Sequence, residues 1–121
     1  MNIRNRERKF LLTVRGRDEI AKLCPNGDLS KIGELLRSST QTDVMRKIVV
    51  IMARDYEDHE KYYNESYNVD YLTDDDLLML TMEEFRNISD EASDAFLEGM
   101  GVSVEIEEKK GKKTGKTKGQ S

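Results

Sequence analysis

The chain has 121 residues, 36% of them charged and 36% hydrophobic, with a formal net charge of −4. That length holds one domain, and so lean an apolar content makes a thin core with little left to line a deep substrate cavity. The longest apolar run, Ile48 to Ala53, falls far short of the ~20 residues a bilayer span needs, and Arg4, Arg6, Arg8 and Lys9 precede too few apolar residues for a secretory signal.

A single cysteine, Cys24, cannot close an internal disulfide, which agrees with a reducing compartment and a cytoplasmic location. The simplest expectation is a buried or half-buried, unreactive thiol.

The net charge conceals three blocks. Residues 1–54 carry twelve Lys/Arg against six Asp/Glu, residues 55–108 carry only Lys61 and Arg86 against eighteen acids, and residues 109–121 add six lysines. Such segregation either guides oppositely charged partners or keeps the molecule soluble.

In chain order, Ile3-Arg4 and Arg8 to Val14 flank a turn-like Asn5-Arg6-Glu7. Phe10, Leu12 and Val14 alternate with Leu11 and Thr13, a period of two that predicts a short N-terminal strand or β-hairpin. Asp18 to Cys24 carries Ile20, Ala21 and Leu23 on a helical face and stops before Pro25-Asn26-Gly27. Asp28 is the expected cap of a helix bearing Leu29, Ile32, Leu35 and Leu36, which fades at Ser38-Ser39-Thr40.

Thr42 is the expected cap of the next helix. There Val44, Ile48 and Ile51 form one stripe and Met45, Val49 and Met52 the adjoining one, so this helix belongs at the centre of the fold. Beyond Arg54 the acids and tyrosines fit either a polar helical extension or a loop.

Thr73 before Asp74, Asp75 and Asp76 is a helix start, because the hydroxyl caps free amides and the carboxylates face the positive end of the helix dipole. Leu77, Leu78 and Leu80 are expected to bury that helix. Thr81-Met82-Glu83-Glu84 matches a capping box. The helix that follows places Ile88, Ala92, Ala95 and Phe96 on one stripe, with a restart at Ser89 conceivable and a stop at Gly99 or Gly101. Val102, Val104 and Ile106 suggest a short terminal strand. Residues 107–121 are a Lys/Gly-rich tail without apolar residues and are expected to be disordered. The predicted class is therefore mainly α: one helical domain over 1–106, with a short N-terminal hairpin allowed, and the tail.

No motif carries catalysis, a cofactor or a metal. Gly111 to Thr117 resembles a phosphate-binding loop but has three residues between its glycines where four are needed, no strand leading in, and too little chain after it for a helix. His59 has no second histidine or suitably spaced cysteine for zinc, and Asp74 to Asp76 lacks calcium-loop spacing. The early arginines lack a nucleic-acid recognition motif and are expected to pair with acids or stay solvated. Five tyrosines between Tyr56 and Tyr71 are many for a plain solvent face, since tyrosine offers apolar area with a polar tip. Composition therefore nominates Tyr62, Tyr63, Tyr67, Asp74, Asp75 and Asp76 as partner-contact residues.

The element order resembles the tail assembly chaperones of long-tailed phages of the Gram-positive type. The resemblance is carried by the basic Arg8 to Val14, the helix near Arg17 to Leu23, the apolar helix around Val44 to Ala53, and Tyr71-Leu72-Thr73-Asp74-Asp75-Asp76-Leu77 through Ile88 to Phe96. It spans residues 3–105 and rests on order and spacing.

That resemblance implies a mainly helical, non-catalytic protein of the host cytoplasm, absent from the mature virion. Its implied partners are the tape measure protein and the tail tube (major tail protein) subunits, with no nucleic acid and no membrane, and a homo-oligomer is left open. It also implies a longer frameshifted product, for which Lys109-Lys110-Gly111-Lys112-Lys113 could be encoded by slippery purine-rich codons. The alternative is a small acidic regulator or inhibitor that competes with nucleic acid for a basic enzyme surface.

Overall fold

The computed structural model describes residues 1–32 and 42–101, the side chains of Pro25 and Lys31 excepted. Four α-helices are present among these residues: α1 (Val14–Ala21), α2 (Thr42–Tyr63), α3 (Asp74–Leu78) and α4 (Met82–Gly99). Two short 3-10 turns, Pro25–Gly27 and Leu29–Lys31, lie between α1 and α2.

The 22-residue α2, about 33 Å long at 1.5 Å per residue, is the axis, and each of the other three helices packs on it. The two sequence stripes explain why. Met45, Ile48, Val49 and Met52 are buried, Val44 and Ile51 are half-buried, and together they give α2 a wide apolar face. Against it lie Ile20 of α1, Leu72 and Leu77, and Phe85, Ile88, Ala92 and Phe96 of α4.

Local chemistry sets the helix ends. Thr73 caps α3 and Thr81 caps α4, each with a reciprocal carboxylate: Asp76 and Glu84 accept from the cap amides at 2.9 Å. α4 runs without a break through Ser89. After its cap residue Met100, Gly101 adopts φ +83 and donates its amide to Glu98 O, so the left-handed glycine closes the helix. Asp28 caps, but the element it starts among the described residues is the 3-10 turn Leu29–Lys31 with Ile32 after it. Residues 35–36, Val102 to Ile106 and the Lys/Gly-rich tail lie outside the described residues.

Two expectations are corrected. No strand forms over Arg8 to Val14. A tight turn with Arg4 and Asn5 at positive φ makes one antiparallel bridge, Asn2 to Glu7, and the chain then runs extended with Leu11 N–H donating to Met52 O of α2. The alternation is real at Phe10 and Leu12, both half-buried, but no second strand lies beside it among the described residues. Val14 is 80% exposed and opens α1 because the Thr13 hydroxyl accepts from Gly16 N–H at 2.9 Å. Leu78, expected inside, is 55% exposed, because a five-residue helix cannot turn Leu77 and its neighbour toward the same core.

Candidate functional site

Part of the acidic block is engaged by contacts within the molecule. Asp55 and Glu57 are buried on α2. Asp55 accepts hydrogen bonds from the Thr13 hydroxyl, from Arg15, and from Arg54 Nε at 3.0 Å. Glu57 accepts from Arg6 at 2.7 Å, from the Tyr67 hydroxyl at 2.9 Å and from the Asp70 amide at 3.0 Å. Arg15 also reaches Asp58 at 2.7 Å, and Arg54 reaches Glu19 at 2.9 Å.

The N-terminal turn completes this clasp. Arg4 donates to both carboxylate oxygens of Asp76 at 3.0 Å, to Asp70 and to the Tyr71 carbonyl. The buried Arg8 bonds the Ile3 and Asp70 carbonyls. Its Nη2 lies 3.3 Å from Asp70 Oδ1 as an ion pair without an aligned hydrogen bond.

These contacts shift the acids. Arg4, with help from Thr73, holds Asp76 down at about 2, and Arg4 and Arg8 hold Asp70 below the usual carboxylate range. Burial alone would raise Asp58, but the Tyr71 hydroxyl and Arg15 outweigh it and bring it down. Cys24 is buried, and burial pushes its thiol up, with Asp28 adding to the effect.

The six nominated contact residues therefore do not share one patch. Tyr67 is half-buried beneath the Arg6 guanidinium, 5.3 Å from its ring centroid. Asp76 belongs to the capping box and the Arg4 pair, and Asp74 accepts from Arg46 Nε at 2.7 Å. Asp75 is exposed and forms no ion pair among the described residues. Tyr62 and Tyr63, 79% and 74% exposed, stand on the last turn of α2. Arg46, which holds Asp74, lies about 24 Å back along that helix, so Tyr62 and Tyr63 are far from Asp74, whereas Tyr67 and Asp76 are both held by the N-terminal turn.

A surface not nominated from sequence lies where α3 meets α4. Leu78, Met79 and Met82 are all more than half exposed, and Leu78 and Met82 line a groove of about 110 Å³ together with Thr42, Arg46, Leu77, Leu80 and Phe85. The signal was present in the sequence. Four consecutive apolar residues, Leu77 to Leu80, on one short helix and its cap cannot all point inward. A shallower hollow of about 310 Å³ lies between the start of α1 and the end of α4, lined by Leu12, Thr13, Val14, Arg17, Gly99 and Met100.

Among the described residues no three His, Cys, Asp or Glu side chains gather as a metal-binding cluster, and no helix is long and apolar enough to cross a membrane. No family model matches the chain, and no curated protein or solved structure matches it either.

Proposed function

We propose that this chain is a non-catalytic protein that holds apolar helical segments of other proteins, in the manner of a phage tail assembly chaperone acting on the tape measure protein. The observation that carries this reading is the exposed Leu78 and Met82 on the groove between α2, α3 and α4, with the exposed Met79 next to Leu78 in the chain. Methionine suits such a task, because its unbranched, polarizable side chain repacks against differing apolar shapes. A client helix covering these three side chains would gain about 1.5–3 kcal/mol for each one fully buried. Asp43 and Glu83, exposed and next in sequence to the lining residues Thr42 and Met82, favour hydration of the uncovered surface.

Co-expression with an adjacent tape measure gene tests this reading. The expected result is co-purification and a larger soluble fraction of the tape measure protein, both lost with the exposed triple variant Leu78→Ser/Met79→Ser/Met82→Ser. An unchanged soluble fraction, or capture indifferent to the triple variant, would refute the reading.

One observation favours a second class, an acidic regulator of a basic enzyme surface. Asp90, Asp94 and Glu98 recur at every fourth residue on α4 and form no ion pair among the described residues; burial and these two like-charged neighbours raise Asp94. Tight, salt-sensitive binding to a nucleic-acid enzyme, weakened by Asp94→Asn, would support that reading over the first.

A further inference from the structure

We propose that the last turn of α2 is a docking site for an arginine of a partner protein, seated against Tyr62 and Tyr63 and paired with Glu60. This site is separate from the α3–α4 groove and stands or falls independently of the chaperone reading.

Three rings converge on this turn. Tyr63 lies 4.9 Å from His59 and 5.0 Å from Tyr62 between ring centroids, the second pair edge to face. The rings hold one another in place, yet His59, Tyr62 and Tyr63 are all exposed, so the ring faces are arranged before any partner arrives. An aromatic face carries negative quadrupole charge and attracts cations, guanidinium more often than ammonium because its flat, weakly hydrated surface stacks.

Charge at the site points the same way. Glu60 lies three residues before Tyr63, one turn back on the same side of the helix, and Glu65 lies two residues after it. Neither forms an ion pair among the described residues. Lys61, the cation of this turn, directs its ammonium to the Glu65 and Tyr67 carbonyls, and no cation is seated over Tyr62 or Tyr63 among the described residues.

The same chain shows the completed arrangement nearby. Arg6 lies over the Tyr67 ring while its Nη2 bonds Glu57, whose other oxygen accepts from the Tyr67 hydroxyl. The exposed turn carries two tyrosines with a carboxylate at helical spacing from Tyr63, without the hydroxyl–carboxylate bond of that arrangement among the described residues, and leaves the guanidinium to be supplied from outside. An anionic partner would meet Glu60 and Glu65, and an apolar one would strand them against its surface, so charge complementarity selects arginine.

Titration of the full chain with a blocked Gly-Arg-Gly-Arg-Gly peptide, followed by amide and tyrosine-ring NMR, tests the site. Saturable shifts should centre on His59, Tyr62 and Tyr63. The peptide with citrulline for arginine, equal in shape and without charge, should bind at least tenfold more weakly. Tyr62→Leu/Tyr63→Leu should abolish the shifts and Glu60→Gln should weaken binding at least threefold, the spectra themselves reporting that both variants fold. Equal binding of the citrulline peptide, or shifts spread over Asp90, Asp94 and Glu98 that survive the tyrosine variant, would overturn the assignment. So would ring shifts that respond to protein dilution alone, placing a second copy on the site, or to salt alone, placing the chain's own lysines there.

Discussion

Replacing Asp55 by alanine should detach the N-terminal segment from α2, because this wholly buried carboxylate is where Thr13, Arg15 and Arg54 meet. Stripping one partner from a buried ion pair typically costs about 3–5 kcal/mol. Here Arg15 and Arg54 are 52% and 29% exposed, and they keep Asp58 and Glu19, so both guanidinium groups recover hydration and an alternative acceptor. What remains is the loss of two charge-assisted bonds, partly screened, and of the acceptor for Thr13, about 2–3 kcal/mol in all. For a domain of this size that lowers Tm by roughly 10–15 °C. Thermal unfolding followed by circular dichroism at 222 nm measures the global effect. Hydrogen exchange at Leu11 and Gly16 measures the local one, since the first amide bonds Met52 O and the second the Thr13 hydroxyl. Asp55→Asn, which keeps the volume and one acceptor oxygen, should fall about midway. A loss below about 0.5 kcal/mol with unchanged exchange at both amides would refute the view that this carboxylate fastens the segment.

Two further perturbations read other parts of the fold. Asp76 titrates at about 2 when folded against an ordinary 3.8, and Asp70 and Asp58 are also lowered, so as pH falls the unfolded chain takes up these protons first. The stability they contribute is fully present above about pH 4 and drains away as pH falls toward about 2. Urea midpoints between pH 7 and 2 should show this decline, and Arg4→Gln should flatten it; an unaltered slope in that variant would count against the Arg4 pair. At the end of α4, a Cβ on Gly99 would stand 2.7 Å from Leu12 Cβ, a distance that forces one backbone to move. Gly99→Ala should therefore lower Tm by an amount equivalent to about 1–2 kcal/mol despite alanine's better helix propensity. Leu12→Gly in the same chain, which removes the opposing Cβ that an alanine would keep, should relieve the clash, and a Gly99→Ala protein more stable than the parent would disprove this close approach.

The elements that were legible in sequence are those whose determinants are local. Thr81 and Glu84 signal a capping box from four adjacent letters, and Thr73 does nearly as well, although its partner Asp76 reads from sequence only as a dipole neighbour. The two stripes of α2 were legible because four residues of spacing is helical geometry whatever surrounds it. The rest depended on distant partners. Asp55 follows Ile48 and Met52 at helical spacing and continues their buried stripe, yet a carboxylate on that stripe looks like the end of the apolar face unless Arg15 and Arg54 are known to reach it. The same dependence makes the stretch beyond Arg54 compatible with either helix or loop from sequence alone. Alternation at Phe10 and Leu12 marks an extended segment correctly but says nothing of whether a strand lies alongside. For the candidate surface, Tyr62 and Tyr63 were legible as an excess of tyrosine, whereas Tyr67 and Tyr71 are turned to Glu57 and Asp58 by contacts that composition does not reveal.

Segregated charge along the chain becomes intimate pairing in the fold. Arg4, Arg6, Arg8 and Arg15 from the basic half meet Glu57, Asp70, Asp76, Asp55 and Asp58 from the acidic half, at separations of 40 residues or more in sequence. Arginine suits this work, since its planar fork can hold two oxygens at once, as Arg4 holds Asp76. Exposed pairs of this kind add little free energy singly, and the buried ones offset their own desolvation, so their stronger effect is on register: a turn with one bridge and one buried isoleucine has little else to fix where it lies on α2. The acids occupied in this way are weaker candidates for recognition than their number in the sequence suggests. Several large exposed side chains that the clasp does not use, among them Leu78, Met79 and Met82, and Tyr62 and Tyr63, have no comparable role in holding the fold together. Exposed side chains of this size in a chain so poor in apolar residues are a cost to solubility that the packing described above does not require, which is why both proposed contacts are placed on them.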